Sequence, residues 1–318
     1  MAVVENASRP SLAPVAGLAS AIAMGVFIGY SMSKPAAFTS QRQHHQYSSQ
    51  PQAQRVHVHN SNQSHSQSQS ASVIRNRICK TYAYLAGSVA ITGVSAFYFF
   101  QFTKYSSHAA MRIHRHPKWY LFTSLLSSIA LLFGVQYTDY HKRPTLKHAL
   151  WIAMHVNEGA FLSVLGFVGG RILMKAAILT ASILSGISLL SASAADEKVL
   201  RLGAFLGVAL GFLLGMSAAQ MVYPAINDSN TFRSVNIYGG LLIFGLQMAY
   251  DTKKVLMRAR NLSERYDPIN AQIALYLNSV NFFLDLIRLI LKQQAEEEER
   301  KKEQQRRQEQ QRRQRGQR

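Results

Sequence analysis

The chain has 318 residues, a formal charge of +19 and 48% apolar residues, and the apolar residues are unevenly distributed. Uncharged stretches cover residues 10–33, 81–103, 119–138, 176–195, 202–227 and 234–250. Most of these stretches are long enough to cross a hydrocarbon layer about 30 Å thick, which excludes a soluble fold. The single cysteine, Cys79, excludes a disulfide framework. The basic residues flank apolar segments or lie in the C-terminal tail, as is typical of membrane proteins rather than of nucleic-acid binders.

Residues 1–80 combine an apolar stretch with a polar one. No Asp or Glu occurs from Asn6 to Thr138, a composition typical of mitochondrial targeting regions. Residues 10–33 predict an apolar helix. The alternative to mitochondrial targeting is that this segment is an uncleaved anchor or a signal peptide, with the endoplasmic reticulum membrane as the alternative location. The Gln/Ser/His-rich remainder predicts a disordered linker, because it contains too little apolar surface to order it. Its histidines are more typical of a solvated tract than of a metal site; they are His44, His45, His57, His59 and His65.

The membrane domain, residues 81–291, contains seven apolar segments. They cover about 82–103, 119–138, 148–170, 175–195, 201–226, 234–256 and 268–291. We therefore expect an all-α, polytopic bundle of seven transmembrane helices, in addition to the N-terminal apolar helix. Short loops predict antiparallel neighbours. Asp267 and Pro268 predict where the last helix begins, because aspartate is a favoured N-cap and proline a favoured first helical residue.

Glycines recur every four residues in the fifth segment, at Gly203, Gly207, Gly211 and Gly215. This spacing predicts a smooth helix face that packs closely on another helix. A flexible gating helix is the alternative.

The tail, residues 292–318, is predicted to be a solvated extension. Glu296–Glu299 precede Arg300–Lys302 at spacings that favour a helix. The later basic part, from Arg306 to Arg318, is suited to anionic lipid such as cardiolipin.

Ionisable residues inside apolar segments indicate an ion pathway, because a charge in the bilayer is costly. In the third segment, one helical face carries Lys147, Trp151, His155 and Glu158. In the last segment, one stripe carries Asn278, Asn281, Asp285 and Arg288. Asp251 ends the apolar run of the sixth segment. Structural alternatives are an Asp285–Arg288 ion pair, asparagines that join helices by hydrogen bonds, and an interfacial Asp251 neutralised by Lys254.

Enzymatic and metal sites are not indicated. G-x-S-x-G, H-E-x-x-H and P-loop motifs are missing from the sequence. A di-iron bundle requires Glu-x-x-His on each of two helices, whereas only the reverse order occurs, once. We expect neither catalytic activity nor a resident cofactor.

Three segments near the C-terminal end carry a resemblance to a known family. They are Ile237-Tyr238-Gly239-Gly240-Leu241, Tyr250-Asp251-Thr252-Lys253-Lys254-Val255 and Tyr266-Asp267-Pro268-Ile269-Asn270, the last followed by Leu275-Tyr276-Leu277-Asn278. These segments resemble the closing motifs of the Bax inhibitor-1 (transmembrane Bax inhibitor motif) family, and of its mitochondrial inner-membrane branch in particular. The resemblance covers roughly residues 80–292.

The resemblance implies a seven-helix bundle with a central last helix. It also implies calcium permeation or calcium–proton exchange in the mitochondrial inner membrane, with roles in cristae organisation and apoptosis control. The partners implied are calcium, protons, membrane lipid and other inner-membrane proteins, without nucleic acid. A membrane scaffold that maintains cristae without transporting ions is the alternative.

The residues that the family uses for pH sensing are only partly present. Asp251 matches the first of two aspartates that share protons in related members, whereas the second falls on Asn278, which cannot titrate. Asp285, one heptad further along, is a candidate to take over that charge, and Arg143 is the expected basic partner. Together with the polar face of the third segment, the predicted ion-pathway and pH-sensing residues are Asp251, Asn278, Asp285, Arg143, Glu158 and His155.

Overall fold

The computed structural model describes residues 59–105, 117–194, 199, 201–223, 229–262 and 265–316. The predicted helix at 10–33 and His44, His45 and His57 lie outside these ranges. The described residues form α-helices and one 3-10 segment, without a strand. The prediction of an all-α fold is therefore confirmed.

Seven α-helices follow one another in the described ranges. They are α1 (His59–Tyr105), α2 (Pro117–Tyr137), α3 (Pro144–Leu162, continued by the 3-10 helix Ser163–Val168), α4 (Gly170–Ser193), α5 (Gly203–Val222), α6 (Asn230–Arg260) and α7 (Pro268–Gly316).

Four segments of these helices are long and apolar enough to cross a membrane. They are Ser70–Tyr105, Pro144–Val168, Gly170–Ser193 and Pro268–Arg315. Shorter apolar stretches lie in α2 and α5, at Leu126–Tyr137 and Gly203–Leu213. The protein is thus a multi-pass membrane protein, and the number of seven spans stays a prediction.

The last helix is the centre of the bundle. It packs against α6, α1 and α4, while α3 packs against α1 and α2, and α5 against α6. Of the most apolar stretch of α7, 72% is buried, compared with 11% to 39% in the other three candidate spans. The helices α1, α4 and α6 therefore share one buried central helix.

The start of α7 follows the predicted signals. Its first residue is Pro268. The Asp267 carboxylate accepts a hydrogen bond from the backbone N–H of Asn270 at 3.0 Å, and the Asp267 carbonyl accepts the N–H of Ala271 at 3.0 Å. This geometry confirms Asp267 as the residue that satisfies the free N–H groups at the beginning of the helix.

The first helix begins earlier than predicted, because α1 starts at His59 and not after residue 80. Ile74 and Ile78 pack against the apolar core. The Arg77 guanidinium donates hydrogen bonds to the carbonyls of Ala259 at 3.3 Å and Asn261 at 2.8 Å. The second part of the predicted linker is therefore helical and tied to the end of α6, since its scattered apolar residues reach the core.

The glycine face of α5 does not pack as predicted. A Cβ atom at Gly203 would lie 2.9 Å from the Tyr250 ring, so α6 approaches closely there. At Gly207, Gly211 and Gly215, no described atom outside the local helix lies within 4 Å of that position. The reason is that α5 turns its leucine face inward; the buried residues of that face are Leu206, Leu210, Leu213 and Met216.

The charged tail continues α7 without a break to Gly316. Residues 293–315 are exposed. Lys292 and Glu296 form a salt bridge of 3.8 Å across one helical turn. The predicted extension is therefore helical.

Candidate functional site

The candidate site lies where α6 meets α7, at the carboxyl group of Asp251. Asp251 is 3% exposed. Its Oδ2 accepts a hydrogen bond of 2.9 Å from the Asn278 side-chain amide, and the Gln247 side chain, one turn earlier on α6, is also hydrogen-bonded to it. Asp251 is therefore enclosed between α6 and α7.

Two cations of the same helix compensate the Asp251 charge. Lys254 and Arg258 both act on it electrostatically. Lys253 points elsewhere and donates hydrogen bonds to the carbonyls of Ala192 and Ala194 at the end of α4. Lys254 therefore acts on the Asp251 charge, as the alternative of a neutralised Asp251 expected. The same alternative placed Asp251 at the membrane interface, whereas its carboxyl group is buried.

Asp285 lies away from Asp251 and pairs with its own helix. Its carboxylate forms a salt bridge of 2.8 Å with Arg288. It also rests on Gly240 of α6, where any Cβ atom would collide with the Asp285 carboxylate. Seven helical residues separate Asp285 from Asn278, about 10 Å along the axis. The structure therefore corrects the expectation that Asp285 takes over the second charge beside Asp251.

Arg143 is not the basic partner of Asp251. It is exposed and occupies the N-cap position of α3, whereas the cations that act on Asp251 come from α6. Arg143 lies in the loop before α3, and its side chain is exposed there. Lys147, one turn later, is the buried cation of this region.

Lys147 joins the end of α2 to the beginning of α7. It is 0% exposed and forms a salt bridge of 2.9 Å with Asp267. Its ammonium group also donates to the carbonyls of Val135 and Thr138 and to the Asn270 side-chain oxygen at 2.7 Å. We call these five residues the Lys147 cluster. All its charged and polar groups are paired, so it is a structural element.

His155 and Glu158 lie on a different side of α7 from Asp251. The His155 ring is 0% exposed and meets the Tyr276 ring edge-on, with centroids 4.4 Å apart. Glu158 is hydrogen-bonded to the side chain of Ser128 on α2. The predicted pathway residues therefore fall into separate places and do not form one continuous group.

A row of hydrogen bonds between α1 and α7 was not foreseen from the sequence. Thr81 pairs with Tyr266 at 2.6 Å, Ser88 donates to Gln272 at 3.2 Å, and Thr92 pairs with Tyr276 at 2.7 Å. We call these six residues the α1–α7 seam. The only sequence signal for it is the spacing of Thr81, Ser88 and Thr92, which places the three hydroxyls on one side of α1.

The acidic groups do not gather into a multi-carboxylate centre. Among the described residues, no three His, Cys, Asp or Glu side chains lie close enough together to hold a metal ion. At Asp251, the α6–α7 contact offers a buried carboxylate that is hydrogen-bonded to two side-chain amides. Such a group can hold a cation or a proton while the remaining ligands come from water or backbone.

Comparison with known proteins shows the family of the chain. The family model described as Inhibitor of apoptosis-promoting Bax1 matches residues 74–295, which include Asp251 and Asn278. The chain belongs to this Bax inhibitor family. The match begins inside α1 and ends just after the buried part of α7, so it covers the described membrane bundle.

Individual proteins match the chain over different shares of its length. The chain is 34% identical to the growth hormone-inducible transmembrane protein of Rattus norvegicus over 220 residues, 66% of this chain and 61% of that protein. It is 33% identical over 126 residues to a BI1-like protein of Arabidopsis thaliana, 38% of this chain and 45% of that protein. It is 26% identical over 172 residues to Bax inhibitor 1 of Oryza sativa subsp. japonica, 54% of this chain and 67% of that protein. The chain thus spans less than two thirds of the first two relatives.

Proposed function

We propose that this protein conducts calcium across the mitochondrial inner membrane, as a calcium-permeable channel or a calcium/proton exchanger, with Asp251 in the ion path. The observation that carries the proposal is the buried Asp251–Asn278 hydrogen bond between two helices of the family motif. A buried carboxyl group is costly, so its presence between two helices of the bundle favours a role in ion movement.

The chemistry around Asp251 suits calcium. Calcium binds carboxylate and amide oxygens, usually with water completing the shell. Asp251 supplies a carboxylate, and the buried Oε1 of Gln247 has no hydrogen-bond partner among the described residues. A carboxylate and an amide oxygen one turn apart on α6 provide two protein ligands for calcium. Two ligands make a weak binding site, and weak binding is what conduction requires.

Calcium flux through the purified protein in liposomes tests the proposal. Asp251→Asn keeps the shape and a hydrogen-bonding group but removes the charge, and we expect it to abolish the flux. Asp139→Asn is the matched control, because Asp139 lies in the exposed α2–α3 loop, and its flux should equal that of the unchanged protein. Equal flux in Asp251→Asn and the unchanged protein would refute the role of Asp251.

The mitochondrial location rests on the acid-free stretch from Asn6 to Thr138. Fractionation with protease protection tests it directly. The sequons at Asn62, Asn227 and Asn261 provide a second test, because a glycan on any of them would require the secretory route and contradict the location.

A scaffold that organises cristae is the second candidate, favoured by the exposed charged helix of residues 293–315. Such a helix offers a surface for a partner protein or, at its basic end, for anionic lipid. The two functions separate in Asp251→Ala expressed in cells that lack the protein. Restored cristae without calcium flux would favour the scaffold, whereas loss of both would favour transport.

A further inference from the structure

The carboxyl groups within the membrane helices differ in their partners. Asp285 has the Arg288 salt bridge, and Asp251 has the charges of Lys254 and Arg258. Glu158 on α3 has the hydroxyl of Ser128 as its hydrogen-bond partner, and no lysine or arginine of the described chain acts on it. A carboxyl group without a cation in an apolar helix requires a proton or a metal ion as its counter-charge.

His155, on the same helix, has ring nitrogens that lack hydrogen-bond partners within the described ranges. Both of its ring nitrogens are buried and have no hydrogen-bond partner in the described part of the chain. It precedes Glu158 by three residues, so the two side chains are neighbours on one face of α3. Buried polar groups are normally hydrogen-bonded, and an imidazole can accept a proton on one nitrogen while releasing it from the other.

The groups that contact this pair from the neighbouring helices are polar but uncharged. Tyr276 of α7 meets the His155 ring and is close enough to Glu158 to interact with it electrostatically. Thr92 of α1 is bonded to the Tyr276 hydroxyl at 2.7 Å, and Ser128 of α2 is bonded to Glu158. Of these contacts, only Tyr276 is titratable, and none is a cation.

The pair is separated from Asp251 by the body of α7. Tyr276 and Asn278 are two residues apart in a helix, which places their side chains about 200° apart around the axis. Tyr276 faces α1 and α3, whereas Asn278 faces Asp251 of α6. One central helix thus has a carboxyl-containing cluster on each of two opposite sides.

We propose that Glu158 and His155 form a proton-binding site that is distinct from Asp251. The proton is held as O–H on the Glu158 carboxyl group and leaves to water on deprotonation, and His155, one turn earlier on the same face of α3, influences the pH at which it leaves. The next step rests on the proposed function in its exchanger form. In that exchanger, Asp251 binds calcium and the His155–Glu158 pair binds the proton that is exchanged for it.

Labelling with dicyclohexylcarbodiimide tests the proton site without any transport measurement. A protonated carboxyl adds across the carbodiimide and rearranges to a stable N-acylurea, so the label reports a bound proton in an apolar place. We expect peptide mapping of the full-length protein to find the label at Glu158, decreasing as the pH is raised. The exposed tail glutamates, such as Glu309, serve as internal controls and should stay unlabelled.

Two variants separate proton binding from a merely structural role. Glu158→Gln should lose the label, whereas Glu158→Asp keeps a carboxyl group and should retain it even if packing changes. His155→Gln should shift the pH at which labelling is half complete. An absence of label at Glu158 at every pH, or a pH profile that is identical in His155→Gln, would overturn the inference.

Calcium flux in liposomes tests the coupling. Glu158→Gln should keep calcium flux but lose its response to a pH gradient, whereas Asp251→Asn should lose flux and keep the Glu158 label. A full response to the gradient in Glu158→Gln would overturn the assignment of the counter-proton. If the unchanged protein moves no calcium, the proposed function fails while the labelling still decides the proton site.

Discussion

Two buried ionisable groups in this bundle, Lys147 and Asp251, differ in how they are satisfied. Lys147 is held by an ion pair and three further oxygen acceptors from α2 and the start of α7. Asp251 has amide partners and more distant cations. A buried charge that is completely paired is fixed in place, whereas one that is held by neutral amides can exchange its partners. Burial alone therefore does not single out a functional group, and these two groups differ instead in how completely they are paired.

The largest effect is expected when the fully paired group is removed. Lys147→Met leaves Asp267 and two backbone carbonyls without their cation, which should lower the free energy of unfolding by about 3–5 kcal/mol. Thermal unfolding of the purified protein in detergent measures it. Lys142→Met is the control, because Lys142 is exposed in the preceding loop, and it should change stability by less than about 0.5 kcal/mol. Similar losses of unfolding free energy in Lys147→Met and Lys142→Met would mean that the pairing of Lys147 does not stabilise the bundle.

A steric change at Gly159, also on α3, shows whether packing or the Lys147 ion pair contributes more to holding α3 in place. A Cβ atom at Gly159 would lie 2.5 Å from Ser95 Cβ and 2.7 Å from the Thr92 carbonyl of α1. Because backbone cannot yield easily, Gly159→Ala should cost about 1–3 kcal/mol in the same unfolding measurement. Gly134→Ala is the control, since its nearest contact would be an ordinary 3.5 Å. Greater destabilisation by Gly159→Ala than by Lys147→Met would mean that packing, and not the Lys147 cluster, holds α3.

A second carboxyl group placed beside Asp251 tests how that group titrates. In the unchanged protein only Asp251 of the Asp251–Asn278 pair titrates, so this pair should contribute about one proton to the pH dependence of calcium flux, in addition to any contribution from Glu158. Asn278→Asp should raise this towards about two coupled protons and steepen the pH dependence. Flux measured across a pH series gives the slope. Asn281→Asp, one turn further on α7, should leave the slope unchanged; an equal effect there would contradict the pairing.

The smallest effect is expected at the exposed loop that leads to Lys147. Hydrogen bonds from the backbone N–H groups of Lys142 and His141 lower the pKa of Asp139 below its ordinary 3.8. A carboxyl group with a lowered pKa stabilises the fold above pH 3.8, and this contribution is lost as the pH falls through the lowered value. Asp139→Ala should therefore lower the melting temperature slightly at pH 7 and have no effect in strong acid. A difference that persists in acid would indicate a role other than charge.

The sequence predicted most of the elements of this fold, because the signals were local. Apolar length marked the helices, and Asp267 followed by Pro268 marked the first residue of α7. The burial of Asp251 was also predictable, since an acid on an apolar stripe must face inward in a membrane bundle.

What the sequence did not predict depends on contacts between distant parts of the chain. The Lys147–Asp267 pair and the α1–α7 seam join residues that lie more than a hundred positions apart. The glycines of α5 suggested an inner face because their spacing allows close approach, but the leucines of the same helix occupy the interior. The spacing of residues shows which of them share a face of a helix, but not which other helix that face contacts.

The Lys147 cluster is complete only when the beginning of the last helix has joined the bundle. Ribosomes deliver the chain from its N-terminal end, so α2 and α3 exist before the anion of Asp267 has been made. Until the last helix arrives, the Lys147 ammonium can reach the carbonyls of Val135 and Thr138 but lacks the counter-ion that it has in the finished bundle. A nascent chain truncated before residue 267 would therefore display an uncompensated positive charge, which a quality-control protease or chaperone could recognise as a mark of incompleteness.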